Sequence, residues 1–408
     1  MKKRIFICVL AAAAVAVGCR KDRVEANPEF DPLDDGKPVA VTFSSNVLNV
    51  KTRASLTGLN DSHDLYIYGL NRSKPGVGEI INAKAHMAKP SGAGTDWLVA
   101  EGALEFADGK TFFYNGTRDV YDFYGYYVGD AATVPETLPD YQLEVAIDGS
   151  QDVLIGIANP EEDITATGVD TDEVKDTENV YSAWSTRRGV TPKIKFIHAL
   201  TQYKFEVKNR GTQAVVLQSV EITSKTNGVL TVVNQDPSAP GADDGLVQGF
   251  DIKPGDTDKL ISLKSSTFTQ GGAVLDYKGE GPDDDVKVDG VRLEPLQTAP
   301  VELEGELMTF AGQTNNVIVK LVQKGMKPGE FRQITLPITL NETENLGTKT
   351  RPGYSYLISL VIYSLEEAGM NIKLIPWQDG KTVPLDQEIE SGKPGTGYED
   401  KIYTEGTY

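Results

Sequence analysis

What most limits the fold of this chain is the arrangement of its apolar residues. They come in short β-prone runs broken by Gly, Pro, Asn and Asp, and convincing helical periodicity is scarce. A first series covers 39–43, 65–70, 111–114, 121–128, 141–147 and 153–158. An acidic, turn-rich stretch, 161–179, separates it from a second series: 193–196, 202–207, 215–222, 229–233, 260–263, 301–310, 317–322, 333–338, 354–363 and 372–377. Two groups of strands predict an all-β protein of two tandem β-sandwich domains, with the boundary near 187–191. The Gly/Asp-rich stretches 236–249 and 278–286 read as long loops, and 380–408 as a tail with one further β-like segment.

The amino terminus reads differently. Basic Met1-Lys2-Lys3-Arg4, an apolar run over 5–17 and the small Gly18 form an export signal, 1–18, too short to span a bilayer. Ala16-Val17-Gly18-Cys19 resembles a bacterial lipobox, which predicts cleavage before Cys19 and acylation of its thiol; the alternative is a plain secretory signal. Cys8, the other of the two cysteines, lies inside the discarded segment, so the processed chain has no intramolecular disulfide and must hold together by packing and strand pairing. From 19 to 37 the chain is charged and rich in Pro, Asp and Glu, which marks a tether. The net charge of −19 among 408 residues argues against nucleic acid and against a direct hold on anionic lipid, both of which need basic patches.

Enzyme signatures are hard to find. His63, His86 and His198 do not show metal-ligand spacing, and no metalloprotease, nucleophile-elbow or phosphate-loop pattern occurs. His198, in Phe196-Ile197-His198-Ala199-Leu200, reads as a hydrogen-bonded structural histidine. The acidic Asp170, Asp172, Glu173 and Asp176 lack the Gly and terminal Glu of a calcium loop and read as a solvated loop. No cofactor and no metal is implied. In the cluster Phe112-Phe113-Tyr114, Tyr121, Phe123, Tyr124, Tyr126 and Tyr127, alternation puts Tyr121 and Phe123 on one strand face and Asp122, Tyr124 and Tyr126 on the other. One aromatic face is core; outward tyrosines suit either cross-strand pairs or a ligand surface.

The ordered set Val39-Ala40-Val41-Thr42-Phe43, Thr52-Arg53-Ala54-Ser55, Leu65-Tyr66-Ile67-Tyr68-Gly69, Tyr121-Asp122-Phe123-Tyr124-Gly125-Tyr126-Tyr127, Phe196-Ile197-His198-Ala199-Leu200 and Ile375-Pro376-Trp377-Gln378-Asp379-Gly380 resembles the fimbrillin family, subunits of type V pili. The resemblance spans nearly the whole processed chain and is poorest at the tail. It implies two transthyretin-like β-sandwich domains, export to the outer membrane as a lipoprotein, cutting after Arg53 and before Ala54 by an Arg-specific protease, and polymerisation with other pilus subunits, of the same or another kind, at the cell surface. The chain then divides into signal 1–18, a tether and removable strand 19–53, domains 54–187 and 188–379, and tail 380–408.

The residues supply a matching mechanism. Val39, Val41 and Phe43 share one strand face, and Leu48 and Val50 continue it after a bend at 44–46; burying three such side chains contributes about 1.5–3 kcal/mol each. Cutting after Arg53 severs this strand, and its departure leaves an apolar groove bordered by unpaired backbone that an extended segment fills. Val383, Leu385 and Ile389 share one parity, interrupted by Gln387, so 382–389 reads as either the donor strand or the last strand of the second domain. Two other classes stay open on these residues: a monomeric surface lipoprotein that binds glycans through Tyr124, Tyr126 or Trp97, and a secreted hydrolase using scattered carboxylates.

Overall fold

A computed structural model describes residues 36–47, 59–94, 98–99, 101–160, 163, 180–233, 251–264, 268, 273–278, 285–313, 315–326, 329–340 and 348–375. The chain divides into two compact units, Met1–Pro38 and Val39–Tyr408, and every strand described lies in the second.

The protein is all-β. The first strands are β1 (Phe43–Val47), β2 (Leu65–Asn71), β3 (Ile80–Met87), β4 (Glu101–Phe106), β5 (Tyr121–Tyr127), β6 (Gln142–Ala146) and β7 (Leu154–Ala158). A single-turn helix, α1 (Ala183–Thr186), capped by Ser182, precedes β8 (Lys193–His198). Then come β9 (Thr201–Asn209), β10 (Val215–Lys225), β11 (Asn227–Thr231), β12 (Asp251–Pro254), β13 (Asp258–Ser262), β14 (Ala273–Lys278), β15 (Asp285–Val288) and β16 (Val291–Leu293). The last are β17 (Val301–Thr309), β18 (Asn316–Gln323), β19 (Arg332–Pro337), β20 (Ser355–Ile362) and β21 (Ala368–Ile375).

Seven strands close a barrel in the order β1-β4-β3-β2-β5-β7-β8. Inside it lie Val41, Phe43, Leu65, Ile67, Phe123, Ile194 and Phe196, all buried. Farther along the chain, the sheet β17-β9-β20-β21 and the sheet β13-β10-β18-β19, with β16 also on β10, hold a second apolar interior between them. A three-stranded sheet, β12-β11-β6, joins the two parts, because β11 pairs antiparallel with β6 from Asn227↔Ala146 to Thr231↔Gln142. Leu143, Val145 and Leu230 from that sheet pack with Tyr68, Tyr124, Tyr126 and Ile155 on the outer face of the barrel, forming a third core.

Several short strands escape the sequence reading. β3 carries Asn82, Lys84 and His86 among its apolar positions and β4 carries Glu101 and Glu105, so neither shows a clean apolar run. The stretch 111–114, by contrast, is no strand; it makes one antiparallel bridge, Phe113↔Ala40. The expected loop 278–286 is partly strand, since β14 runs to Lys278 and β15 begins at Asp285. After position 188, β8 still belongs to the barrel, pairing with β7 and β1, and the chain crosses to the sheet of β9 through Ala199 and Leu200.

Candidate functional site

The site of interest is the place that the amino-terminal strand occupies. Approaching β1, the backbone is already tied down: the Val41 N–H donates to the Phe112 carbonyl at 2.8 Å and the Tyr114 N–H to the Val39 carbonyl at 3.0 Å. β1 then runs antiparallel to β4, from Phe43↔Leu104 to Asn46↔Glu101, and parallel to β8, from Ser44↔Lys193 to Val47↔Phe196. It is therefore an interior strand, paired on both sides, and it closes the barrel. Without it, β4 and β8 become free edges of a six-stranded open sheet.

Alternation decides what fills the slot. Val41 and Phe43 are each only 3% exposed, and Val39 is half-buried against the same core. The Phe43 ring meets Phe123 edge-on at 4.9 Å and Phe106 at 5.7 Å, a favoured aromatic geometry. Ser45 follows on the same face, fully buried, its hydroxyl donating to Met87 Sδ at 2.9 Å. The stretch 44–46, expected to bend, instead continues the strand. Facing outward, Thr42 is exposed and Ser44 half-buried.

An ion pair spans the outer face of the strand. Lys193 on β8 is the neighbour of Ser44, and Glu101 on β4 is the neighbour of Asn46; Lys193 Nζ donates to Glu101 Oε1 across β1. Sequence reasoning missed this pair and Ser45. The signal for both was the same two-residue period: Lys193 and Lys195 alternate with the buried Ile194 and Phe196.

Of the sequence-predicted site residues, the structure brings Val39, Val41 and Phe43 together in the barrel core. Cys19, Leu48, Val50, Arg53, Ala54, Val383, Leu385 and Ile389 lie outside the described residues, as do Trp97 and the acidic Asp170, Asp172, Glu173 and Asp176.

The glycan-platform reading needs correction at two of its residues. Tyr124 is 6% exposed and Tyr126 fully buried, because the face of β5 that points away from the barrel interior is covered by β6 and β11. Tyr126 stacks on its cross-strand partner Tyr66 at 5.4 Å and donates to Asn82 Oδ1 at 2.7 Å. Burial pushes the Tyr124 hydroxyl up to about 12 and that of Tyr126 higher still. Both β5 faces are thus core. An open groove of about 720 Å³, lined by Asp130, Asp148, Gln151, Asn227, Ile261 and Lys264 among others, has no aromatic wall on which a sugar ring would stack.

The histidines do structural work. His198 is buried with Nδ1 3.0 Å from Asp152 Oδ1, at the last barrel residue before the chain crosses to β9. His63 lies 2.7 Å from Asn60 Oδ1, and burial lowers its pKa, partly offset by Asp64. His86 faces Glu105 across β3 and β4 at 3.8 Å. Among the described residues, no group of three or more His, Cys, Asp or Glu side chains is placed to hold a metal ion.

No family model matches the chain. No curated protein matches it either. Among solved structures, it is similar to a candidate cell adhesion protein from Bacteroides uniformis at 15% identity and a TM-score of 0.45, covering 84% of this chain and 99% of that one. It is likewise similar to the tip fimbrial protein Mfa3 from Porphyromonas gingivalis with a carboxy-terminal truncation, at 9% identity and a TM-score of 0.36, covering 83% and 100%. A candidate polysaccharide-binding protein from Bacteroides thetaiotaomicron aligns at 10% identity and a TM-score of 0.35, covering 82% and 98%.

Proposed function

We propose that this chain is a structural or adhesive pilus subunit without a catalytic centre. On this reading it is exported as an outer-membrane lipoprotein through Cys19, cut between Arg53 and Ala54 by an Arg-specific protease, and polymerised with other subunits by strand exchange. The observation that carries the reading is the position of β1. An amino-terminal strand that closes a barrel between β4 and β8, and that stands ahead of Arg53 in the chain, is a plug whose removal opens an apolar slot with two unpaired edges. The burial of Val41 and Phe43 holds it with about 3–6 kcal/mol of apolar transfer free energy, at about 1.5–3 per side chain. That is enough to keep the precursor closed while the strand is covalently attached, and little enough to be outcompeted once it is a separate peptide.

The tandem transthyretin-like domains of the resemblance, 54–187 and 188–379, belong to the same proposal, with β8 reaching from the second range into the first barrel. Segment 382–389 is the donor within it. The test is to treat purified full chain with an Arg-specific protease and look for SDS-resistant ladders, with amino-terminal sequencing of the product. Ladders whose subunits begin at Ala54 are expected. Cleavage at Arg53 that yields only monomers overturns the reading, as do ladders that persist when the chain is truncated after Gly380. Replacing Cys19 with Ser is expected to move the precursor from membranes to the soluble fraction.

A further inference from the structure

The slot left by β1 has a pattern of its own, and one segment of the chain matches it position by position. Along the inward parity the slot accepts apolar Val41, apolar Phe43 and polar Ser45, and the strand continues to position 47. The tail reads apolar Val383, apolar Leu385, polar Gln387 and apolar Ile389 at the same spacing. Resting on the strand exchange proposed above, we infer that segment 382–389 of a second copy enters in one register, with Val383, Leu385, Gln387 and Ile389 taking the positions of Val41, Phe43, Ser45 and Val47. In that register it runs as β1 does, parallel to β8 and antiparallel to β4.

Of the registers shifted by two residues, one would set Gln387 in the buried place of Phe43, and the other would set Pro384 at position 44, where the Ser44 N–H donates to the Pro192 carbonyl at 3.0 Å. Three further features accompany the register that remains. Pro384 falls at position 42, and Thr42 N–H donates no backbone hydrogen bond among the described residues, so a residue lacking that donor fits there. Gln387 falls at position 45, opposite Gly102, which presents no side chain, and beside Met87, a flexible side chain able to make room for a longer polar group. Asp386 and Glu388 fall at positions 44 and 46, whose neighbours on β8 are Lys193 and Lys195. Position 46 also lies opposite Glu101 on β4, a like charge that offsets the gain at Glu388, so Asp386 beside Lys193 carries most of the selection. Lys193, now paired with Glu101 over the resident strand, would meet a carboxylate on the incoming one. The outward lysines of β8 thus act as specificity determinants that favour a donor with an acidic outer face.

Disulfide trapping reads the register directly. One population of full chain carries Asp386→Cys and a second carries Ala103→Cys, Glu101→Cys or Glu105→Cys, all at outward positions of β4; cleavage after Arg53 removes the native Cys19 from the assembling chains. Ser44 lies opposite Ala103, so the inferred register sets position 386 opposite 103, and directly opposed antiparallel residues have Cα atoms about 4.5–5.5 Å apart, within disulfide reach. The expected result is a cross-linked dimer with Ala103→Cys and little with the other two. Ladders that form but cross-link best at 101 or 105, or at none of the three, overturn the register while leaving strand exchange standing. If the cleaved chain without introduced cysteines forms no ladder, exchange itself falls, and the register with it. As a second reading, Lys193→Glu with Lys195→Glu is expected to slow ladder growth about two- to fivefold per lost pair, the range of exposed ion pairs, with recovery when the donor carries Asp386→Lys and Glu388→Lys. An unchanged rate overturns the charge selection.

Discussion

Phe43 offers the sharpest test of how the amino-terminal strand is held. The side chain is 3% exposed, and its ring sits edge-on between Phe123 at 4.9 Å and Phe106 at 5.7 Å. Truncation to Ala removes a whole aromatic ring from a closed barrel whose walls are fixed by strand pairing on all sides, so the cavity collapses poorly. Phe→Ala changes of this kind cost about 3–5 kcal/mol, a figure that already contains the two ring contacts of about 0.5–1.5 kcal/mol each. At about 1.4 kcal/mol per decade, the loss is two to three and a half orders of magnitude in the equilibrium between seated and detached strand. The assay is amide hydrogen exchange by mass spectrometry on the uncut chain, reading peptides from β1, β4 and β8. Protection in these three strands is expected to fall together by that factor in Phe43→Ala, while β18 and β20 in the other core are unchanged. The control is Thr42→Ala, one residue away and exposed, expected within about 0.5 kcal/mol of the parent. If Phe43→Ala and Thr42→Ala protect β1 equally, the strand is not held by its apolar face and the account of the slot fails.

Other outcomes follow from the same structure. Asp152→Ala is expected to lower stability by about 1–3 kcal/mol, because it leaves the buried His198 ring without its carboxylate partner where the chain crosses from barrel to sheet; denaturant midpoints compare it with the parent. Gly125→Ala places a Cβ 2.7 Å from Phe196 Cζ and 2.9 Å from Ile194 Cγ2 inside the barrel, for an expected loss of about 1–3 kcal/mol, whereas Gly94→Ala, with open space around it, should be near neutral by the same measurement. Burial pushes the Asp148 carboxyl up, but hydrogen bonds from Lys264 and Ser150 outweigh it and hold the pKa at about 2, below its ordinary 3.8. A depressed carboxylate stabilises the fold above its unfolded pKa and loses that contribution as pH falls from about 4 through about 2. With both partners more than half exposed, the contribution is under about 1 kcal/mol, so the better readout is an NMR titration whose midpoint should rise toward 3.8 in Lys264→Ala.

The strands legible in advance were those with an unbroken two-residue period or a long apolar run, such as β9, β10, β18 and β20. Those missed, β3 and β4, carry outward charges and a glycine or asparagine in the alternation, which erases the local signal while the inward residues still pack. The aromatic run of β5 was legible as a strand but not as a strand buried on both faces, since nothing within Tyr121–Tyr127 says that β6 and β11 will cover its outer side. Likewise, parity alone identified Val39, Val41 and Phe43 as one apolar face, yet whether that face lay on an edge strand or in the middle of a closed sheet was invisible locally.

Local sequence by itself determined the secondary-structure class and the inward face of each well-patterned strand, because side-chain alternation and turn chemistry act between near neighbours in the chain. Tertiary structure alone decided that β1 lies between β4 and β8, that β11 leaves its own half to pair with β6, and that Lys193 reaches Glu101 over the strand between them. Those are choices of partner among many strands of similar pattern. They are settled by which arrangement closes every backbone edge and covers every apolar face at once, a condition on the whole chain that no single segment records.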